Sequence, residues 1–515
     1  MRTSVGGEIP KERKAVRPTV QVFLFANPKS GDRRGRHLID LEVQHFRLKE
    51  SPEVQIQIYN ILDQTSREEG MRLLKYILHR RAGEAECEVH VWSAGGDGTV
   101  TSVLDLLLDP HWDIDPSEVF FSCIPFGTGN DFSQVLGWGR TVEKSDVLGK
   151  HLEELARIAS SRVTNADSGK AYMDIWEVDI ATYPNGRLRR VGAPEDEKNG
   201  RLSRRMTNYF TIGVQGYVGR GFEGSRARSR FANACIYARE SMKWLIFRKF
   251  PPVTRVWSGI QYETVLTCPT KEEMELVEKL QGRPTLLNNP IEVVVQNIPH
   301  IWGRNVDLWG DSPETADTVM PQQGPTDPSE WTPQTASDGK LEIFSFSSVW
   351  SYIKKLGLRF DHLSRVGQFG DCELTFRQGG TSNMGHWVGR RRRHEKVTCF
   401  MIDGEFYEVK DPKYVRFRRN GQIRLVGNSA EAAKARLVRD TRCEDLHAAS
   451  LPINLAHLAS GAGRNSASPA SSSHAHHPSM ENPIAIPALI DNEGQPVLPF
   501  DPNHMDSHDG GSSSS

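Results

Sequence analysis

The chain has 515 residues, of which 37% are apolar, and its formal net charge is -1 at pH 7. This length and apolar fraction predict a protein of two or three domains with hydrophobic cores. No apolar stretch approaches the roughly 20 residues that a membrane-spanning helix needs, and no apolar block follows the first basic residues as in a secretory signal. We therefore expect a cytoplasmic protein.

After a flexible leader over residues 1–18, the chain alternates between strand-like and helix-like patterns. Strands are predicted over 20–26, 54–61, 89–94 and 120–124, and helices over 35–48, 66–83 and 99–108. The helix over 66–83 is the clearest, because Met71, Leu74 and Leu78 recur at helical spacing. This alternation predicts an α/β domain over residues 19–165, in which helices cover a parallel sheet.

From about residue 172 the chain changes to short β-type runs that are separated by polar loops. The runs lie at 174–180, 209–214, 291–295, 341–346, 396–402 and 414–418. Their spacing predicts a mainly β, sandwich-like second domain over residues 170–430. Two segments without an apolar period, near 185–205 and 311–336, are predicted to be loop inserts.

The last part of the chain is rich in Ser, Pro and His. A short helix over 430–439 is predicted to end the ordered part. Residues 441–515 are predicted to be a disordered tail, because their composition cannot bury enough apolar area to offset the entropy of ordering. The tail histidines, His474, His476 and His477, could bind a metal, but their composition favours a solvated linker.

The seven cysteines lie far apart and form no C-x-x-C pair. They are Cys87, Cys123, Cys235, Cys268, Cys372, Cys399 and Cys443. This spacing indicates neither a disulfide framework nor a zinc site.

Three glycine-rich turns follow strands of the predicted α/β domain. They are Asn27-Pro28-Lys29-Ser30-Gly31, Gly95-Gly96-Asp97-Gly98-Thr99 and Pro125-Phe126-Gly127-Thr128-Gly129-Asn130-Asp131. Loops at the carboxyl ends of parallel strands are where open α/β sheets bind ligands, and glycine lets backbone N–H groups approach phosphate oxygens. Together the turns predict a phosphate-binding site. Any one of them could instead be a tight connection, and Asp97 could cap the helix that it starts.

The order of these turns resembles that of the diacylglycerol kinase family of lipid kinases. The matching sequences are FANPKSGDRRG from Phe25, GGDGTV from Gly95 and PFGTGNDF from Pro125. The similarity continues in Asn208-Tyr209-Phe210, in Asn297-Ile298-Pro299 with Asn305-Val306-Asp307-Leu308-Trp309-Gly310, in Ser337-Asp338-Gly339-Lys340-Leu341-Glu342 and in Met401-Ile402-Asp403-Gly404-Glu405. It covers residues 20–425, with no dinucleotide-binding or Walker motif to compete with it.

The resemblance implies a fold similar to that of NAD kinases and diacylglycerol kinases, with a catalytic domain over 19–165 and an accessory domain over 170–430. It implies phosphorylation of the hydroxyl group of 1,2-diacylglycerol to phosphatidate, with ATP and Mg²⁺. Asp97 would then be a catalytic residue that contacts Mg-ATP, and Asp338 would accept the hydroxyl proton. The implied ATP-binding residues are Asn27, Lys29, Ser30, Gly31, Gly95, Gly96, Gly98, Thr99, Gly127, Thr128, Gly129 and Asn130.

Two other functions are open. The first is a sphingoid-base or ceramide kinase on the same scaffold, although Gly95-Gly96 and the Asn208-Tyr209-Phe210 segment favour diacylglycerol. The second is an inactive lipid-binding module, because Gln215-Gly216 stands where the family usually has Asp-Ala. Glu223 could supply the missing charge. The three intact turns speak against loss of activity.

Arginines cluster in the second predicted domain, at 187–190, 201–205, 226–230, 390–393 and 416–419. Basic side chains near an anionic bilayer contribute about 1 kcal/mol each, so these clusters predict peripheral membrane association, where the diacylglycerol would lie. The apolar run 244–247 could add an apolar contact. No nucleic-acid partner is expected, because aromatic and basic residues do not interleave.

Overall fold

The computed structural model describes residues 18–427 with internal gaps, and all described residues belong to one compact unit. The gaps are 32, 42, 50, 82–86, 128–129, 143–149, 161–169, 194–199, 226, 228–229, 248–249, 264, 271–272, 274–284, 287–288, 300–307, 311–317, 320–321, 350–362 and 382–396. The predicted leader, the helix over 430–439 and the tail over 441–515 thus lie outside the described residues, except for Pro18.

The described residues form eighteen strands and seven α-helices. The strands are β1 Val20–Ala26, β2 His45–Arg47, β3 Val54–Asn60, β4 Glu88–Gly95, β5 Phe120–Pro125, β6 Lys170–Arg190, β7 Arg201–Met206, β8 Tyr209–Gly213, β9 Trp257–Gln261, β10 Val265–Thr267, β11 Thr285–Leu286, β12 Glu292–Gln296, β13 Thr318–Val319, β14 Leu341–Phe346, β15 Ser364–Phe369, β16 Cys372–Phe376, β17 Thr398–Ile402 and β18 Glu405–Val426. The helices are α1 Arg34–Ile39, α2 Gln64–Arg81, α3 Asp97–Leu107, α4 Asp131–Val135, α5 Lys150–Ser160, α6 Val214–Glu223 and α7 Arg230–Phe247.

The first sheet contains the predicted parallel strands. β1 pairs in parallel with β3 on one side and with β4 on the other, and β4 pairs in parallel with β5. The strand order therefore reverses at β1. In such a sheet the crevice outside the carboxyl ends of the central strands is a natural ligand site.

The helix predicted over 35–48 is shorter than expected. α1 ends at Ile39, and His45–Arg47 forms β2, which pairs antiparallel with β3 at the sheet edge. The apolar residues of a short, half-buried edge strand fit a helical period equally well, so the sequence alone does not separate the two.

The rest of the chain forms two packed sheets of mostly antiparallel strands. One has the order β7-β6-β18-β16-β9, and the other has the order β18-β17-β8-β12-β14-β15. The ring of Phe210 on β8 lies 5.4 Å from that of Phe400 on the neighbouring strand β17. It lies 5.3 Å from that of Phe417, which belongs to the part of β18 in the opposite sheet. These rings belong to one apolar core that both sheets share.

The longest strands connect this part of the chain to the first sheet. β6 and β18 pair along most of their length, and the end of β18 pairs in parallel with β5. The Ser122 hydroxyl donates to the Val426 carbonyl at 2.7 Å. Met173 and Leu425 therefore belong to the first core, although they lie far apart in sequence.

The segment over 185–205, predicted to be a loop insert, contains strand at both ends. β6 continues to Arg190 against β18, and β7 begins at Arg201. One face of these strands is exposed to solvent, and on the other face the apolar side chains that pack on the core are Leu188 and Leu202. So few apolar residues give only a weak strand pattern in the sequence. In the second predicted insert, residues 311–317 lie outside the described residues, and two 3₁₀ turns, Gly324–Thr326 and Pro328–Glu330, follow.

Two helices of the second part, α6 and α7, have no counterpart in the sequence prediction. They pack on each other through the rings of Phe222 and Tyr237, 5.6 Å apart. Among the described residues, no helix is both long and apolar enough to cross a membrane.

Asn297 stabilises the junction of β6, β8 and β12. Its Nδ2 donates to the Asp174 carbonyl at 3.0 Å and to the Thr207 carbonyl at 2.7 Å, and its Oδ1 accepts from Trp176 Nε1 at 3.1 Å. The side chain is fully buried. All of its hydrogen-bonding groups therefore have protein partners.

We expect Asn297→Ala to lower the free energy of unfolding by about 3 kcal/mol, because a buried polar group left unpaired costs about 1–3 kcal/mol. The exposed Glu330 serves as the control, and Glu330→Ala should change stability by less than about 0.5 kcal/mol. Denaturant unfolding measures both. Equal effects of the two substitutions would contradict the assignment of Asn297 as a structural residue.

Candidate functional site

The three glycine-rich turns meet at the carboxyl ends of β1, β4 and β5. A Cβ on Gly31 would lie 2.0 Å from the Phe126 carbonyl oxygen, and one on Gly127 would lie 2.4 Å from the Gly96 Cα. Neither contact is sterically possible, so only glycine lets these backbones approach so closely. The three turns thus pack against one another, and the phosphate-binding role of this arrangement stays a prediction.

The helix α3 begins within the second turn. Gly96 is the N-cap, and Gly98 lies exposed in the first turn, where a Cβ would meet nothing within 4 Å. The first N–H groups of a helix have no partner within the helix and carry a partial positive charge. The surface at Gly98 therefore offers backbone donors to an anion.

The carboxylate of Asp97 joins the second turn to the third. Its Oδ2 accepts from the Asp131 N–H and its Oδ1 from the Phe132 N–H, both at 3.1 Å. These residues start α4, so Asp97 caps α4 and not α3, the helix that it begins. Burial raises the pKa of Asp97, whereas these N–H groups and the side chain of Asn208 favour its charged form.

Two amide side chains complete the packing of the turns. Asn27 Nδ2 donates to Thr99 Oγ1 at 3.1 Å, which links the first turn to α3. Asn130 is buried, with φ of 57°, and its Nδ2 donates to the carbonyls of Gly127 and Arg140. Within the described part of the chain, Asn130 Oδ1 is buried without a hydrogen-bond partner. That atom is free to accept a donor from a ligand.

The remaining residues of the predicted nucleotide site lie around this centre. Lys29 is exposed and Ser30 half-buried on the first turn, while Gly95 packs against Thr99. Thr128 and Gly129 lie outside the described residues.

Residues of the second part of the chain also reach the turns, and the sequence analysis did not single them out. The Tyr209 hydroxyl donates to Asp131 Oδ2 at 3.2 Å. Asp403 accepts from the N–H groups of Thr207, Asn208 and Tyr209 at 2.7–3.0 Å, and it thereby fixes Asn208 beside Asp97. Tyr209 and Asp403 lie in motifs that carry the family resemblance, but nothing local in those motifs reveals which groups the two side chains contact.

Asp338 lies on a tight turn before β14. The Lys340 N–H donates to its Oδ1 at 3.0 Å, and the Gly339 N–H donates to Asp174 Oδ2 at 2.7 Å. Asp174 is buried and ion-paired with Arg419. The side chain of Asp338 is exposed, but desolvation by the surrounding residues, together with the nearby Asp174 charge, raises its pKa to about 6.

A chain of buried polar groups connects this turn to Asp97. Asn297 donates to the Asp174 carbonyl and, through its backbone N–H, to the Asn208 carbonyl at 2.9 Å. Asn208 in turn contacts Asp97. The network thus runs from Asp97 to Asp174, which accepts from the Gly339 N–H next to Asp338, while the Asp338 carboxyl group itself accepts from the Lys340 N–H.

Two family models match the chain. Residues 21–171 match the "Diacylglycerol kinase catalytic domain", and residues 205–406 match the "Diacylglycerol kinase accessory domain". The matched ranges contain all three turns, Tyr209, Asp338 and Asp403.

Curated proteins with the same description are similar to this chain. It is 26% identical over 356 residues to Diacylglycerol kinase 1 of Arabidopsis thaliana, covering 67% of this chain and 39% of that protein. It is 26% identical over 374 residues to Diacylglycerol kinase 4 of Arabidopsis thaliana, covering 66% of this chain and 70% of that protein. It is 25% identical over 377 residues to Diacylglycerol kinase zeta of Homo sapiens, covering 70% of this chain and 33% of that protein. The chain therefore spans well under half the length of two of these relatives.

We expect Gly127→Ala and Gly98→Ala to have opposite effects on stability. The first introduces a contact of 2.4 Å with Gly96 and should cost about 1–3 kcal/mol. The second adds a methyl group in open space on a helix and should stabilise by up to about 1 kcal/mol. Thermal unfolding of both variants measures the difference, and a destabilised Gly98→Ala would contradict the open geometry of α3.

Proposed function

Because the chain belongs to the diacylglycerol kinase family, we propose that it is a lipid kinase that transfers the γ-phosphate of ATP to the hydroxyl group of 1,2-diacylglycerol. The supporting observation is the packing of three glycine turns around Asp97 at the carboxyl ends of β1, β4 and β5. The product would be phosphatidate. Catalysis of this kind consists mainly of positioning and charge stabilisation.

The residues of the turns fit a nucleotide polyphosphate. The first N–H groups of α3, at Gly98, would donate to phosphate oxygens, and Asn130 Oδ1 would accept from the nucleotide. Lys29 and Ser30 would contact the phosphates from the rim. For Gly31, Gly95, Gly96 and Gly127, the proposed contribution is the close backbone approach, and Thr128 and Gly129 would close the far wall.

Magnesium would accompany the ATP phosphates and neutralise the charge that develops on them. The carboxylate of Asp97 accepts from the Asp131 and Phe132 N–H groups, and the Asn130 N–H and the side chain of Asn208 also hydrogen-bond to it. These donors favour the charged form, and that charge would contact Mg-ATP while Asp97 holds the second and third turns together.

Asp338 would be the general base. It would take the proton from the lipid hydroxyl as that oxygen attacks the γ-phosphorus, and the bond to the β,γ-bridging oxygen would break to release ADP. A raised pKa makes Asp338 a stronger base than an ordinary aspartate while it stays mostly ionised at pH 7.

We further propose the domain organisation that the family resemblance implies. Residues 19–165 would form the NAD-kinase-like catalytic domain, and residues 170–430 would form the sandwich-like accessory domain. The shared core of the two packed sheets supports the second assignment.

The decisive assay incubates the purified full chain with labelled ATP and mixed micelles of single lipids. Diacylglycerol should be phosphorylated faster than sphingosine or ceramide. Preferential labelling of a sphingoid base would replace the proposed substrate, and no labelling of any lipid would support an inactive binding module.

We expect Asp97→Asn to lower kcat by about 100-fold or more, because a preorganised charge at the reacting phosphates is typically worth that much. The amide keeps the shape but loses one acceptor for the N–H groups that start α4, so the melting temperature should also fall, by a loss of about 1–3 kcal/mol that leaves the protein folded at the assay temperature. Asp105→Asn is the matched control, since Asp105 lies on the same helix and pairs with Arg205 at 2.9 Å. A variant with more than about a tenth of wild-type kcat would remove Asp97 from the catalytic machinery.

The proposed base also predicts a pH profile. Because a general base acts in its deprotonated form, kcat/KM should fall as the pH drops below about 6, the pKa raised by desolvation and by Asp174. Asp338→Asn should lower the rate throughout and abolish this acidic limb. Steady-state rates between pH 5 and 8 test this, and an unchanged limb in the variant would assign the titration to another group.

Most arginines that suggested a basic membrane surface are ion-paired where the structure describes them. Arg189 pairs with Glu408, Arg190 with Glu405, Arg416 with Glu373, Arg418 with Asp179 and Arg419 with Asp174. The ring of Trp244 also packs 4.9 Å from those of Tyr217 and Phe250. The run at 390–393 lies outside the described residues, and we propose that this run carries the attraction to anionic lipid.

We expect serine at all four positions of 390–393 to weaken sedimentation with anionic vesicles and to leave turnover of a short-chain, soluble diacylglycerol unchanged. The attraction should also weaken as added salt shortens the Debye length from about 10 Å at 0.1 M to about 3 Å at 1 M. Serine at the exposed Arg36, Arg72, Arg80 and Arg157 changes the net charge equally and serves as the control. Equal losses in both quadruple variants would indicate a general charge effect.

A further inference from the structure

One buried hydrogen bond joins the second part of the chain to the third glycine-rich turn. Tyr209 is the first residue of β8, and its hydroxyl donates to Asp131 Oδ2 at 3.2 Å. Asp131 is the last residue of the third turn and the first residue of α4. Both residues are 4% exposed. A strand of the second part therefore holds the start of α4 through a contact that is closed to solvent.

The main chain of Tyr209 is fixed by its neighbours. Its N–H donates to Asp403 Oδ1 at 3.0 Å, and its carbonyl accepts from the Asp403 N–H at 3.1 Å. On the other side it pairs with Gln296 of β12. Asp403 and Gly404 connect β17 to β18, and their φ values of 46° and 83° fit the type I′ hairpin turn that Asp-Gly favours. The Tyr209 hydroxyl thus reaches Asp131 from a main chain that is held in place.

The other end of the contact is attached to Asp97. The Asp131 N–H donates to Asp97 Oδ2, and the Phe132 N–H donates to Asp97 Oδ1. Because the carboxyl group and the N–H of Asp131 belong to one residue, a displacement of the first also displaces the second. The position of the Asp97 carboxylate therefore depends on where Tyr209 holds Asp131.

The ring and the hydroxyl of Tyr209 have separable roles. The ring packs in an apolar cluster that includes Trp309 and Phe344. Phenylalanine would keep this cluster filled and would take one donor away from the buried Asp131 carboxyl group. A buried polar group that loses its partner is destabilised, and it moves toward other donors. The loss of the hydroxyl thus disturbs the third turn and leaves the apolar cluster intact.

We propose that Tyr209 is a positioning residue that holds the third turn, and with it the Asp97 carboxylate, in the alignment that phosphoryl transfer needs. The proposal rests on the proposed kinase function. Tyr209 acts through Asp131 and does not touch the reacting atoms. The part of the chain that is proposed to bind the lipid thus also aligns the nucleotide side of the site.

The first test is the steady-state kinetics of Tyr209→Phe in the full chain, with ATP and a short-chain diacylglycerol as substrates. kcat should fall about tenfold with the KM for ATP within about twofold, because alignment and not nucleotide binding is disturbed. Tyr183→Phe is the matched control, since the Tyr183 hydroxyl donates to the Phe376 carbonyl at 3.0 Å, between β6 and β16. The control should have wild-type kcat. A Tyr209→Phe variant with wild-type kcat, or an equal loss in the control, would overturn the proposal.

A double-mutant cycle with Asp131→Ala tests whether the effect passes through this carboxyl group. Tyr209→Phe should lower kcat about tenfold in the wild-type background and less than about twofold in the Asp131→Ala background, because the hydroxyl then has no carboxyl partner. Equal fold losses in the two backgrounds would show that Tyr209 acts by another route.

The melting temperatures of the same four proteins provide a readout that does not depend on the reaction. Tyr209→Phe should lower the melting temperature in the wild-type background and much less in the Asp131→Ala background, even if the latter turns over too slowly to measure. If the wild type phosphorylates no lipid but this coupling appears, the proposed activity fails while the hold of Tyr209 on the third turn stands. If lipid is phosphorylated and Tyr209→Phe leaves kcat unchanged, only the role of Tyr209 fails.

Discussion

The carboxylate of Asp97 is the interaction on which the site depends. α3 and α4 begin next to each other, and their N-termini carry partial positive charge that would repel if nothing lay between them. Asp97 begins one helix and accepts both first N–H groups of the other. Beside this anchor, Gly96 and Gly127 approach so closely that neither position has room for a side chain. One side chain thus holds the second and third glycine-rich turns in a fixed relation.

Buried hydrogen bonds in the second part of the chain also hold residues in place beside Asp97. Asp403 satisfies three successive N–H groups and orients Asn208 toward Asp97, and Asn297 ties the same segment to β6. Because these groups are buried, none can move without leaving a donor or acceptor unpaired. The segment that carries Asn208 is therefore held in place beside Asp97 by buried hydrogen bonds.

The sequence predicted those features that depend on neighbouring residues. Strand β1 and the turn at Asn27 follow from an apolar run that ends in glycine and proline, and α2 follows from its own periodicity. The pairing of β18 with β5, the bonds of Asp97 to α4 and the hydrogen bond of Tyr209 to Asp131 join residues that are distant in the chain. No local pattern encodes which partner each will meet. The arginine clusters show the same limit, since their acidic partners lie on other strands.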